Sequence, residues 1–443
     1  MTAASQVPDR PPAPADHGPT TAVPDVVAVQ RHSVRTLVVS QALGGVGLSS
    51  GIAVSALVAR DVSGSETLAG LAQTGQVLGA AVIAAVLAGV MARHGRRPGL
   101  VLGYALGALG AVLCIAAAVL RTFPLLLVGC VLLGATTAAN QQSRYAATDL
   151  AQPAHRGRDL STVVWATTIG SVLGPNLTGP GAVVAGWLHV PSKAGPYVFT
   201  AVALVLTAVF VLVRLRPDPL LTARAAALPV TAPATGGAVA ALRADSAWTV
   251  LRTVPRVRAA TLGMALTHAV MVSVMVMTPI HMDHGHASLE VIGLVISIHV
   301  LGMYALSPVV GRAVDRLGSA PVLGAGAIVL LLALGLAGGS APGGSWTLAL
   351  GLFLLGVGWS LGTVASSTLL TASAPVQQRP QVQGLADMLT GFTAAAGGAV
   401  AGVVVGTLGY GWLNAGASVL AMGALATAAV AARHTRGPVR SSR

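Results

Sequence analysis

Charge is scarce in this chain. Asp, Glu, Lys and Arg make up 9% of its 443 residues, where a soluble domain carries roughly a quarter. That scarcity excludes an ordinary water-facing surface. Cysteine is nearly absent, and the two present, Cys114 and Cys130, lie in apolar runs with no C-x-x-C pattern. A disulfide framework and a cysteine zinc site are thereby excluded. No phosphate-binding glycine loop ending in Gly-Lys-Ser/Thr and no H-E-x-x-H occurs, which argues against an ATP-driven pump or a zinc-dependent membrane hydrolase. Residues 1–34 are polar and proline-rich, with no basic-then-apolar signal architecture, and are expected to form a disordered tail.

What is abundant is apolar. Hydrophobic residues reach 54%, with 54 Gly and 25 Pro, both tolerated in membrane helices whose neighbours satisfy the interrupted backbone. Apolar runs of spanning length fall at 36–59, 67–91, 99–120, 124–147, 160–185 and 196–215. A polar stretch at 216–258 follows, then runs at 259–281, 289–311, 320–340, 346–370, 382–407 and 411–432. The net charge of +13 falls almost wholly in alternate gaps between runs; only Arg60, Arg121 and Lys193 lie in the others. This positive-inside pattern puts both termini in the cytoplasm and speaks against a nucleic-acid partner. The lipid bilayer is the expected partner, and a monomer the expected state. Arginine far outnumbers lysine and alanine is abundant, which points to a bacterial inner membrane.

A shift of 223 residues superposes Arg35 on Arg258, Arg93 on Arg316, Gly95 on Gly318, Pro98 on Pro321 and Arg156 on Arg379. The same shift aligns Val77-Leu78-Gly79 with Val300-Leu301-Gly302. The chain therefore reads as an all-α membrane protein of twelve transmembrane helices in two pseudo-symmetric six-helix bundles, 35–215 and 259–432. A cytoplasmic linker (216–258) joins them, a short tail (433–443) follows, and substrate is expected between the halves near mid-membrane.

Between the eighth and ninth spans stands Gly311-Arg-Ala-Val-Asp315-Arg316-Leu-Gly318. It resembles the G-x-x-x-D-R-x-G signature of the major facilitator superfamily, which implies that fold and an alternating-access carrier. The matching first-half loop, Arg93-His94-Gly95-Arg96-Arg97-Pro98, has Ala92 where the acid is expected. Charges at such helix ends can hold one conformation of a carrier, making Gly311, Asp315, Arg316, Arg93, Arg96 and Arg97 gating candidates. The fifth span carries Gly170-x-x-x-Gly174-Pro175, similar to a motif of proton-driven drug exporters. Small residues and a proline also suit any close, bending helix seam.

Six of the ten methionines (264, 271, 275, 277, 282 and 303) fall in the seventh and eighth spans and the loop between them. Met271-Val-Ser-Val-Met275 is M-x-x-x-M and His299-Val-Leu-Gly-Met303 is H-x-x-x-M, each pair on one helical face. Met264 and His268 extend the stripe. Thioether sulfur and imidazole nitrogen suit a soft monovalent ion, with Cu(I) the fitting candidate. The arrangement resembles the CcoA-like copper importers, a resemblance that implies Met271, Met275, His299 and Met303 as ligands, copper as cargo and no resident cofactor. Methionine stripes also serve as plain packing. Yet the first-half counterparts of His268, Met271, Met275, His299 and Met303 are Gly45, Leu48, Ile52, Gln76 and Ala80, so the fold position does not demand sulfur or imidazole. His281, His284 and His286, in the loop on the side opposite the arginines, are candidates for metal capture. Asp387, a lone acid within a span, is a candidate for proton coupling, or for pairing with an arginine. Copper import leads; a proton-coupled exporter of hydrophobic drugs or other small organic solutes is the alternative.

Overall fold

The computed structural model describes residues 25–227, 246–343 and 345–434. The first half comprises α1 (Val26–Ser63), α2 (Glu66–His94), α3 (Arg96–Leu120), α4 (Phe123–Ala146), α5 (Arg156–Asn176), α6 (Thr178–Trp187) and α7 (Gly195–Arg214). Two short helices, α8 (Pro219–Ala226) and α9 (Ala247–Thr253), lie in the link between halves. The second half holds α10 (Pro255–Asp283), α11 (Leu289–Tyr304), α12 (Ser307–Leu317), α13 (Ser319–Gly338), α14 (Trp346–Ser373), α15 (Arg379–Leu408) and α16 (Tyr410–Arg433).

The 223-residue repeat holds in the backbone. The starts of α2, α3, α4 and α5 (66, 96, 123 and 156) map onto those of α11, α13, α14 and α15 (289, 319, 346 and 379). Gly95 and Gly318, repeat mates, both turn the chain between helices at positive φ, +92° and +90°. A side chain there would be strained, which is why glycine stands at both.

Eleven described segments are long and apolar enough to cross a membrane. The twelfth crossing is α5 with α6. Arg156, Arg158 and Asp159 occupy the start of α5, and the helix breaks at Leu177, just past Pro175, so neither piece qualifies alone. Its partner across the molecule is broken as well: α11 ends at Tyr304 and α12 restarts at Ser307-Pro308. The first helix starts earlier than expected. Asp25 caps α1 by accepting from the Val27 N–H, so residues 26–34 are helical and belong to the first span. The expected tails at 1–24 and 435–443 and the linker at 228–245 lie outside the described residues.

Each half has its own apolar core. One gathers Leu37, Leu87, Leu100, Tyr104, Leu133 and Leu204, the other Val270, Leu330, Leu334, Leu352, Leu355 and Leu413. The halves meet along α2–α15 and α5–α12. Leu160 and Val164 of α5 pack directly with Val310 and Val314 of α12. These contacts close the seam at the end carrying Arg93, Arg97, Arg158 and Arg316, called here the arginine-rich face.

The Gly170-x-x-x-Gly174 pair is a packing seam. A Cβ on Gly170 would collide with the Gly45 backbone, and one on Gly174 with Ser49 and Ser50. Pro175, one residue on, lies just before the break. Replacing Gly170 by Leu forces α1 and α5 apart and should cost about 1–3 kcal/mol, read as a lower thermal unfolding midpoint in detergent. An unchanged midpoint would show that the seam has slack.

Candidate functional site

The arginine-rich face is closed by charges that find partners across the halves. Arg96, fully buried, forks onto Asp149 (Nε to Oδ2 2.8 Å, Nη2 to Oδ1 3.1 Å). It also donates to Gln142 of its own half (3.0 Å) and to Gln383 of the other (2.7 Å). A short way along the seam, Arg144 of α4 pairs with Asp387 of α15 (2.8 Å), while Gln142 and Tyr145 donate to the same carboxylate (2.9 and 3.2 Å). Every charge here is desolvated, and removing one partner would strand the other.

Of the gating candidates, Asp315 accepts from the backbone N–H groups of Gly157 (2.7 Å) and Arg158 (2.9 Å), capping the start of α5 from the other half. Gly311 makes that approach possible, since a Cβ there would meet Ser161 and Gly157. Arg93 and Arg316 are exposed. The Arg97 backbone N–H donates to Asp218 from the link (2.8 Å).

The pseudo-symmetric counterpart of the Asp315 contact is built differently. Ala92 offers no carboxylate. Instead Arg224 of α8 donates to the carbonyls of Ala92 (2.7 Å) and Gln377 (2.6 Å), tying α2 to the lead-in of α15. Burial, with Arg96 nearby, lowers the Arg224 pKa from its ordinary value.

The soft donors sit deeper. Met271 of α10, Met303 of α11 and Trp359 of α14 form one buried cluster, with Met275 and Tyr304 packed against it. Tyr304 and Trp359 meet edge to face, centroids 5.6 Å apart. Two histidines of the same helices, His268 of α10 and His299 of α11, are in opposite tautomeric arrangements. The His299 Nδ1 lies 2.8 Å from the Leu352 carbonyl. A carbonyl only accepts, so Nδ1 carries the proton and Nε2 presents a lone pair. That Nε2 is buried without a partner, in a residue 1% exposed. His268 is the reverse: the Trp359 indole N–H donates to its Nδ1 (2.8 Å), so in the neutral ring the proton sits on Nε2. His299 thus keeps a nitrogen without a partner, whereas the Nδ1 of His268 already accepts from Trp359.

The remaining candidates lie elsewhere. The Met264 sulfur accepts from Arg144 and Tyr145 (both 3.6 Å) and so belongs to the Asp387 network rather than to the Met271 cluster. His281 is buried, stacked on Tyr410 (4.1 Å, 15°) and within 3.4 Å of the Ser340 hydroxyl. His284 and His286 are exposed. Among the described residues no three His, Cys, Asp or Glu side chains gather as a metal cluster, so the three loop histidines do not converge. Asp387 has its arginine. Sequence reading missed Trp359, Tyr304, Asp149, Asp218 and Arg224 as site residues. Nothing local marks an aromatic as a cavity wall, though the Ala92 gap pointed to a missing charge.

Two repeated helical halves and a buried charge lock between them are the architecture of a membrane carrier. The major facilitator superfamily model matches residues 36–288 and 260–443, and the chain belongs to that superfamily. It is 36% identical over 397 residues to the uncharacterised MFS-type transporter YddS of Bacillus subtilis (strain 168), covering 88% of this chain and 89% of the relative. It is 27% identical over 400 residues to the riboflavin transporter RfnT of Brucella anthropi, covering 88% and 93%. Among solved structures it superposes on the human organic anion transporter MFSD10 with a TM-score of 0.71 at 17% identity, covering 90% of this chain and 99% of that one. The protein is a multi-pass membrane protein and a secondary transporter.

Two outcomes follow. Asp387→Asn leaves the Arg144 guanidinium buried and unpaired, a loss of about 3–5 kcal/mol in thermal stability that the double change with Arg144→Gln partly restores. Equal instability of single and double variants would deny the pairing. Arg224→Ala should loosen the arginine-rich face by about 1–2 kcal/mol, seen as a broader distance distribution between spin labels on the ends of α2 and α15. An unaltered distribution would rule out the tie.

Proposed function

We propose that this transporter carries monovalent copper, ligated in passage by His299, Met303, Met271 and Met275. The observation that carries the reading is the orphaned His299 Nε2. A buried imidazole that gives its Nδ1 proton to a carbonyl and leaves the other nitrogen empty has the second-sphere arrangement of a metal-ligating histidine. Met303 lies four residues on, on the same face of α11, and packs with Met271. Neutral sulfur and nitrogen donors match a soft, singly charged ion, and their weak ligation allows release. His268, locked by Trp359, serves as a wall of the site rather than a ligand.

In this reading the arginine-rich face is cytoplasmic, both termini lie on that side of a bacterial cytoplasmic membrane, and the conformation described is open to the outside. Import follows from the resemblance to copper importers. Rocking the halves would break the Arg144–Asp387 and Asp315–α5 contacts and deliver the ion inward. Asp387 is then a gate element, and proton coupling at this position would require that its pair with Arg144 open during transport.

One observation favours a second reading. Trp359, Tyr304 and His268 give the cluster an aromatic face suited to a small organic solute, and the similar RfnT is a riboflavin transporter. Copper uptake into proteoliposomes of the purified protein separates the two. His299→Phe and the Met271→Leu/Met303→Leu double change should each lower Cu(I) uptake roughly tenfold or more, at least the loss seen when even a second-sphere partner is removed. Undiminished copper uptake in these variants, or none in the wild type, would refute the copper reading and leave the organic solute.

A further inference from the structure

We propose that the start of α15 holds an oxyanion of the phosphate class, a free phosphate or the headgroup of an anionic lipid, in the place left empty by Ala92. The comparison between halves carries the inference. In one half Asp315 reaches across and fills the positive end of α5. Its repeat mate is Ala92, at the matching end of α2, whose carbonyl Arg224 links to that of Gln377 just before α15. That helix begins without a side-chain cap at Gln378, so its first-turn N–H groups and their positive end lack the carboxylate that α5 enjoys.

The cations for such an anion are already there. Arg379, the first residue of α15 and the repeat mate of Arg156, is 6% exposed, and its buried Nε has no partner. The charges nearest Arg379 are Asp149, Arg156 and Arg96. Asp149 is already spanned by Arg96. Arg224 binds the carbonyls of Ala92 and Gln377 on either side of the gap, and its Nε is likewise buried and unpartnered. The charges facing Arg224 are Arg96, Asp149 and Asp218, and Asp218 is committed to the N–H groups of Arg97, Leu220 and Leu221. Arginines thus outnumber free carboxylates around an uncapped helix start, and an unpaired buried guanidinium is costly. A tetrahedral oxyanion accepts from several guanidinium N–H groups and the helix start at once. Because Arg224 of α8 is tied to α2 through the Ala92 carbonyl while Arg379 belongs to α15, the anion would bind only while the arginine-rich face is closed and would favour that state. The proposal is independent of the cargo.

The test is the thermal unfolding midpoint of the purified full chain in neutral detergent, with sodium phosphate titrated against chloride at constant ionic strength. A parallel series adds phosphatidylglycerol or phosphatidylcholine to the micelle. The wild type should gain stability saturably. A response to phosphate and phosphatidylglycerol identifies the headgroup as a competent source; a response to phosphate alone identifies the free ion. Ala92→Asp, which restores the internal carboxylate, should raise the midpoint in chloride and abolish the response. Arg379→Gln and Arg224→Gln should lose it too, while Arg312→Gln, an exposed arginine of the same face, keeps it. Should Arg379→Gln fail to fold, Ala92→Asp and Arg224→Gln still decide. A full phosphate response in Ala92→Asp, equal responses in all variants, or no response to either anion in the wild type would overturn the proposal.

Discussion

A guanidinium placed inside a bilayer protein must find an anion, and the closed seam of this carrier is organised by that demand. Arg96 is fully enclosed and satisfied by Asp149, Gln142 and Gln383. Arg144 is satisfied by Asp387. Because Gln383 and Asp387 come from α15 while both arginines come from the first half, satisfying them pulls the halves together at one end. Such pairs contribute little net stability against an apolar alternative, since desolvation offsets attraction. Their value lies in being all-or-none: parting the halves strands several charges at once. That makes the seam a two-state element of the kind an alternating-access carrier requires.

The repeat explains how one chain builds both the seam and the site. Two halves with the same helix starts provide equivalent positions, and function lies where the equivalence is broken. Asp315 has Ala92 as its counterpart, and a linker arginine, Arg224, crosses the gap instead. His299 and Met303 have Gln76 and Ala80 as counterparts, so donors gather in the second half alone. The two broken crossings, α5–α6 and α11–α12, are neighbours across the seam, where a helix must bend for the faces to open in turn.

Much of this was legible in the residues. Hydropathy runs and a 223-residue register containing arginines, glycines and a proline gave the two bundles, because membrane spans announce themselves by length. The same register relates the helix starts of the two halves, although the spans read from hydropathy began a few residues late at α3, α5 and α15. The start of α1 was missed by more, since residues 26–34 are polar enough to resemble a tail yet follow a cap at Asp25. At the site, the spacing of Met271, Met275, His299 and Met303 was visible, whereas their company was not. That Met264 turns to Arg144, that His281 stacks on Tyr410, and that His268 is spoken for by Trp359 are facts of tertiary packing. Periodicity places a side chain on a face but does not tell which neighbour occupies it. The tautomers of the two histidines, which decide which nitrogen is left without a partner, depend on a carbonyl and an indole from α14, distant in sequence.

If the His299 lone pair and the sulfurs of Met271, Met275 and Met303 form one soft site, the purified protein loaded with Cu(I) should show, by X-ray absorption at the copper edge, a coordination shell mixing imidazole nitrogen with thioether sulfur. The imidazole contribution should vanish in His299→Phe. Copper that is not retained, or a shell without sulfur, would rule the soft site out.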